Sequence, residues 1–360
     1  MTPFDEILTH LPYSLARDEK RALMMERLRG LTLHHYEHCA AYRRILDAQG
    51  TDIDSLNAIE DIPLLPVSLF KNIDLLSVEP EQVVKTMTSS GTTGQAVSKI
   101  YLDKATATGQ QKTLVKIVND FLGTSRMPLL IIDSPSVMKD RRLFSARGAG
   151  ILGFSIFGAD KTYALNDDMT LNLDAVRAFL AKHQGRSVLL FGFTFMVWQH
   201  FYKSLLALDE KLDLSAGILI HGGGWKKLQS EAVSPADFSA ALHGVCGIPR
   251  VHDYYGMVEQ TGCIYMQCEA GHLHASIFSD IIIRDHHDFS VCQHGQPGII
   301  QVLSLLPESY PGHSLLTEDQ GVILGEDDCV CGRKGKYFKI LGRVKNAELR
   351  GCSDTYAAQF

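Results

Sequence analysis

Four stretches of this sequence concentrate side chains that do chemistry. In TMTSSGTTGQAVSKIY, Thr86 to Tyr101, the hydroxyls of Thr88, Ser89, Ser90, Thr92 and Thr93 interleave with Gly91 and Gly94 ahead of Lys99. Glycines let backbone amides approach an anion closely, hydroxyls add donors and a lysine adds charge, which together make a phosphate-holding loop. No lysine follows the second glycine directly, so the GxxxxGK[ST] loop and its NTPase fold are not implied. A flexible Ser/Gly surface loop has the same composition, but the flanking VVKTM and SKIYLD read as strands that hold the loop on a hairpin. The second stretch is His221-Gly222-Gly223-Gly224-Trp225, at the end of the apolar run AGILI. Ligands of parallel α/β sheets bind at the carboxyl ends of strands, where glycines would let a flat ring lie on the backbone; a tight strand-to-helix turn would use them too.

The third stretch, VHDYYGMVEQTG (251–262), joins two tyrosines to Glu259. The rings offer stacking for a base or an acyl group, and the carboxylate could hold Mg²⁺ beside phosphates, although packing alone would also explain the tyrosines. In the fourth, LLTEDQGVIL, Thr317, Glu318 and Asp319 could accept from ribose hydroxyls or form a polar turn. Cysteine adds two further candidates. Cys268, His274, Cys329 and Cys331 supply the N/S donors of a structural zinc site, with His272 and Cys263 as substitutes and reduced, packed cysteines as the alternative. Cys352 stands alone near the end between Gly351 and Ser353; Arg350 favours its thiolate and Asp354 opposes it, and by itself it reads as an ordinary terminal cysteine. His34 and His38 are spaced for one helix face, but without an HExxH arrangement they read as surface or core histidines.

The elements that must position these groups follow from periodicity. SLARDEKRALMMERLRGLTLHHYEHCAAYRRIL is helical, with Leu23, Met24, Leu28, Leu31, Tyr42, Ile45 and Leu46 on recurring apolar turns and Gly50 closing it. From about 85 to 255, runs such as PLLIID, SVLLFGF and AGILIHG alternate with helical stretches, which predicts α/β structure with a largely parallel sheet. After 270, HASIFSDIII, GIIQVLSLL, SLLTEDQGVIL and KYFKILGR predict an antiparallel β region. The expected division is 1–75, a helical cap; 76–270, an α/β core; 271–343, a β subdomain and hinge; and 344–360, a tail carrying Cys352. With 45% hydrophobic and 21% charged residues and a net charge of −6, the chain is neither disordered nor a basic nucleic-acid binder. Its best apolar run, Val188 to Trp198, is about half the roughly 20 residues a membrane span needs. The acidic, mixed start shows no secretory signal, so the cytoplasm is the expected compartment.

Taken in order, these segments followed by Gly342-Arg343 resemble the adenylate-forming superfamily of acyl-CoA synthetases, luciferases and peptide-synthetase adenylation domains. Within it, SSGTTGQAVSKIY, HHYEHCAAYRRIL, GFTF (192–195) and RGCSD are most similar to acyl-protein synthetases of the LuxE type, with phenylacetate-CoA ligases the nearest cousins. The resemblance implies a large α/β adenylating domain of layered sheets with a C-terminal antiparallel β region. It implies that Ser89, Ser90, Gly91, Thr92, Thr93 and Gly94 hold the ATP phosphates, with Lys99 a helper offset from the usual proline-lysine step. Gly222, Gly223, Gly224, Tyr254, Tyr255 and Gly256 would frame adenine and adenylate, Glu259 would bind Mg²⁺, and Arg343 the ribose near the hinge. The turn is TED where most members have TGD, which leaves Glu318 or Asp319 for the ribose, Asp319 being favoured. Phe193, Thr194 and Phe195 are the expected acid-pocket residues.

In most of the superfamily a domain bearing a catalytic lysine follows the Gly-Arg hinge; here only residues 344–360 follow, so that domain is expected to be absent or truncated. Lys336, Lys339, Lys345 and Arg350 are then candidates for the missing charge. The implied activity is an ATP- and Mg²⁺-dependent ligase that activates a fatty acid as acyl-AMP, loads Cys352 as a thioester and delivers the acyl group to a reductase partner, with an acyltransferase as a further partner. Transfer to coenzyme A or a carrier protein, as in the phenylacetate-CoA relatives, is the alternative. A non-catalytic nucleotide-binding subunit is the second, and the absence of GxSxG disfavours a hydrolase.

Overall fold

Met24, Leu28, Leu31 and His35 recur every third or fourth residue, and a helix, Arg17–His38, carries all four on its buried face. Cys39 adopts an extended backbone and interrupts it; Ala40–Gln49 then continues with Tyr42, Ile45 and Leu46 buried, and Gly50 closes it in the left-handed region at φ 64°. This computed structural model describes residues 3–89, 97–138 and 146–344. Its chain forms two units, one of residues 1–120, 256–265 and 272–360, the other of 121–255 and 266–271.

The first unit holds the helices just described and the antiparallel β structure expected after residue 270. Ser279–Arg284 pairs with Gly298–Ser304, that strand with Ser314–Glu326, and that one with Lys336–Arg343, all antiparallel. Leu65–Pro66 joins Ser314–Glu326 in parallel, with Leu65 opposite Leu315. Ser279–Arg284 and Gly298–Ser304 are buried at every position, so the sheet is covered on both faces and polar side chains inside it must find partners. Asp280, 2% exposed, sits between Lys336 Nζ at 2.7 Å and Lys20 Nζ at 3.3 Å. A separate hairpin, Lys85–Thr88 with Lys99–Leu102, sets Thr88 opposite Lys99.

The second unit is the parallel sheet that the apolar runs predicted. Its strands lie in the spatial order Gly158–Tyr163, Met127–Ile132, Val188–Phe193, Gly217–Gly222, Arg250–Tyr255, each neighbour parallel. Helices such as Leu173–Lys182 and Pro235–Cys246 cover the sheet through Val176, Phe179, Phe238 and Leu242. Parallel strands buried on both faces carry unbroken apolar runs, and Met127–Ile132, Val188–Phe193 and Gly217–Gly222 are buried at every residue. Because the strands run one way, Phe193, Gly222 and Tyr254 come into register at one end of the sheet. No helix among the described residues is long and apolar enough to cross a membrane.

Candidate active site

In the first unit the hairpin closes the neck of the Ser/Thr/Gly loop. Ser89 N–H donates to Ser98 O at 3.1 Å and Ser98 N–H donates to Ser89 Oγ at 2.9 Å. Ser90, Gly91, Thr92, Thr93 and Gly94 lie outside the described residues. Lys99 follows the neck, with its Nζ 3.7 Å from Asp74 Oδ1, an oxygen that also accepts from Tyr101 OH at 2.6 Å.

Glu259 lies on the single turn Val258–Gln260 and is 6% exposed. The turn is held at its backbone: Tyr310 OH donates to Glu259 O at 2.9 Å, and Gln260 Nε2 donates to Gly312 O at 2.9 Å and Val302 O at 3.1 Å. Burial pushes the Glu259 carboxyl above its ordinary value, Ser98 and the Lys71 charge pull it back, and Glu318 adds a like charge. A buried carboxyl in that state gains from a nearby cation, so Glu259 fits the hard-cation ligand expected of it. On Ser314–Glu326, Thr317 Oγ1 donates to Ile300 O at 2.8 Å and accepts from Asp319 N–H at 3.1 Å. The strand bulges here, since Leu316 lies opposite Gln301 and Gln320 opposite Ile299; Asp319 pairs across the strands with Arg343 Nε at 3.6 Å. Arg343 is mostly exposed, so that ion pair is a weak, screened one. Lys336, a candidate for the missing charge, is spent on Asp280 and Ile281 O; Lys345, Arg350 and Cys352 lie outside the described residues.

In the second unit the strand ends bring together Phe193, Thr194, His221, Gly222, Gly223, Asp253 and Tyr254. A Cβ on Gly222 would lie 2.6 Å from the Tyr254 ring, and one on Gly223, whose φ is +81°, would lie 2.4 Å from the Phe193 ring. These glycines admit two of the protein's own aromatic rings, Tyr254 and Phe193, against the backbone. Thr194 Oγ1 donates to Gly222 O at 3.2 Å and lies 2.9 Å from His221 Nδ1. His221 Nδ1 is 3.6 Å from Asp253 Oδ1, and Asp253 Oδ1 accepts from Tyr254 N–H at 2.8 Å. Burial, with His252 nearby, pushes the His221 imidazole down to about 3, and burial pushes the Asp253 carboxyl up to about 7 against the Tyr254 N–H. Sequence reasoning quoted His221 and Asp253 within their motifs but gave neither a role; the signal was a polar residue directly before each glycine or tyrosine run, where only strand alignment makes them neighbours.

A separate N/S cluster occupies the first unit. The ligand atoms of His274, Cys329 and Cys331 lie within 4.8 Å of one another, with Cys331 Sγ 3.4 Å from His274 Nε2. Gly332 N–H donates to Cys329 O at 2.9 Å, folding CVCG into a knuckle whose tip, Val330, is 90% exposed. His272 Nδ1 lies 3.4 Å from Cys329 Sγ, and the rings of His272 and His274 each stack on Tyr337. Cys268 belongs to the 266–271 segment of the second unit, where its carbonyl accepts from Gly271 N–H at 2.9 Å. Cys263 is engaged elsewhere, with Ser304 Oγ at 3.2 Å and Phe278 O at 3.4 Å, and burial pushes its thiol up to about 12. His34 and His38 stack on each other and bond backbone carbonyls, as ordinary helix histidines do.

The fold is that of adenylate-forming enzymes. A crystal structure of 2-hydroxyisobutyryl-CoA ligase, solved with 2-HIB-AMP and CoA, superposes with a TM-score of 0.69 at 15% identity, covering 93% of this chain and 77% of that one. Within this class the chain belongs to the family described as acyl-protein synthetase, LuxE, which it matches over residues 3–360. It is therefore a ligase by family. It is similar to the long-chain-fatty-acid–luciferin-component ligase of Vibrio harveyi, 22% identical over 99% of this chain and 93% of that protein, and to that of Aliivibrio fischeri, 21% identical over 97% and 92%. The phenylacetate-coenzyme A ligase of Thermus thermophilus is 32% identical over 31% of this chain and 24% of its own length.

Proposed function

We propose that this enzyme activates a long-chain fatty acid with ATP and passes the acyl group to its own Cys352 as a thioester, from which a reductase partner takes it. A carboxylate resists acyl transfer because oxide would have to leave. Attack of its oxygen on the ATP α-phosphorus releases pyrophosphate and converts that oxide into AMP, a good leaving group. Both reactants are anionic, so catalysis rests on positioning and on neutralising phosphate charge. Mg²⁺ held by Glu259 would supply charge neutralisation at the phosphates when bound. The loop amides and hydroxyls that follow the Ser89–Ser98 neck would take the phosphates, Asp319 and Arg343 the ribose, and Gly222 to Gly224 with Tyr254 to Gly256 would frame the adenylate. Phe193 and Thr194 line the acid pocket. The Cys352 thiolate then attacks the acyl carbonyl, AMP leaves, and the thioester forms. The observation that carries the reading is the buried Glu259 carboxyl beside the neck of the Ser/Thr/Gly loop, within an acyl-protein synthetase chain.

Cys352→Ser should keep acid-dependent ATP–pyrophosphate exchange and lose hydroxylamine-labile acylation of the protein. A serine variant that still takes up the label excludes Cys352 as the acceptor, and release of acyl-CoA on adding coenzyme A would favour the acid:CoA reading.

A second reading concerns the N/S cluster. His274, Cys329 and Cys331 have the donor chemistry of structural zinc, and we propose that they hold such a metal. Such a metal would fasten the CVCG knuckle and take no part in adenylation.

A further inference from the structure

Transfer at a phosphate needs cations fixed where negative charge collects. Lys99, which the sequence offers for this, stands in an exposed, screened ion pair with Asp74, whose carboxylate also accepts from Tyr101 OH. Lys71 lies three residues before Asp74, in the short helix Leu69–Asn72, and is exposed. That helix is held from two sides. Val67 N–H donates to Leu316 O at 2.9 Å and Pro66 pairs with Leu316, which ties the segment to the strand just ahead of Thr317-Glu318-Asp319. Phe70, 1% exposed, meets the Tyr310 ring edge-on at 6.1 Å, and Tyr310 OH donates to Glu259 O at 2.9 Å. Lys71 therefore hangs from a rigid anchor shared with the two carboxylates Glu259 and Glu318. It forms no ion pair with any described residue, and the contact of its neighbour Phe70 with Tyr310, which bonds Glu259 O, keeps its helix on the Glu259 side.

Resting on the adenylation reading above, we propose that Lys71 is a further catalytic residue, the cation that contacts the ATP triphosphate on the Glu259 side in place of Lys99. Its ammonium would neutralise charge on the departing pyrophosphate, alongside the metal at Glu259.

The test is Lys71→Ala and Lys71→Arg in the full chain, with Lys85→Ala, an exposed lysine of the hairpin that carries Lys99, as the charge-loss control. Acid-dependent ATP–pyrophosphate exchange is measured together with calorimetric titration of Mg-ATP. Lys71→Ala should raise the KM for ATP at least tenfold and weaken Mg-ATP binding in parallel, Lys71→Arg should recover most of both, and Lys85→Ala should stay within twofold. Lys71→Ala within twofold of the unaltered protein in both measurements overturns the proposal, as does a larger loss in Lys99→Ala. If the unaltered protein binds Mg-ATP but exchanges with no acid, the adenylation reading fails while the binding arm still judges Lys71. No Mg-ATP binding at all overturns both.

Discussion

His221 and Asp253 form a pair whose two members titrate out of order. The Asp253 carboxyl, pushed up to about 7 by burial, keeps its proton where the unfolded chain, near 3.8, has released it. Its share of stability is therefore full below that unfolded value and lost as the pH rises through about 7. The His221 imidazole, pushed down to about 3, stays neutral where the unfolded chain, near 6.5, binds a proton, so its share grows as the pH rises between those values. The two slopes oppose each other where they overlap. Solvent reaches 38% of the Asp253 side chain, which trims its slope through screening. Asp253→Asn removes the falling slope and leaves the rising one, so the variant's urea midpoint should climb more steeply from about pH 4 to 6.5 than that of the unaltered protein. Parallel profiles would mean that Asp253 titrates as an ordinary aspartate.

At the scale of elements, the turn after Gly217–Gly222 separates two uses of glycine. Gly223 and Gly224 both hold positive φ, +81° and +66°, but only Gly223 has a neighbour in the way: its Cβ would lie 2.4 Å from Phe193, while Gly224 has nothing within 4 Å. Gly224→Ala should cost about 1 kcal/mol, the left-handed penalty alone. Gly223→Ala adds displacement of a buried ring and should cost about 1–3 kcal/mol more, with a matching loss of exchange activity. Equal urea midpoints for the two variants would show that Phe193 yields freely and that its approach to the backbone is unimportant. The hairpin teaches a related lesson. Its two strands were legible because flanking β-formers are local signals. The pairing of Lys99 with Asp74 was not, since it joins residues from separate elements.

Across the whole molecule, the unit that holds the phosphate-loop hairpin is assembled from three separate stretches of chain and fastened by buried polar groups. Asp280 between Lys20 and Lys336 joins the long N-terminal helix to two strands; it also removes Lys336 from the candidates for catalysis. The CVCG knuckle is the other fastening. If zinc is bound there, its binding energy is folding energy. The purified protein should carry one zinc per chain by elemental analysis, and Cys329→Ser should lose it and lower the urea midpoint while leaving pyrophosphate exchange measurable. Metal-free protein of unchanged stability would return these cysteines to simple packing.

What the sequence determined by itself was the order of things along the chain: a helical start, apolar runs of a parallel sheet, closely spaced antiparallel strands, and motifs at the turns between them. Those follow from local propensity and from the periods of burial, which need only near neighbours. Family membership was legible for the same reason, since SSGTTG, HGGGW, YYGMVE and TED are each continuous. Tertiary structure decided which charges are spent and which are left to act. Lys336 became the partner of Asp280 and Lys99 a screened neighbour of Asp74, Asp319 paired with Arg343, and the helix of Lys71, in no motif, was tied through Phe70 and Tyr310 to Glu259. A charge's role depends on what lies a few ångströms away, and in this fold those neighbours come from residues tens to hundreds of positions apart.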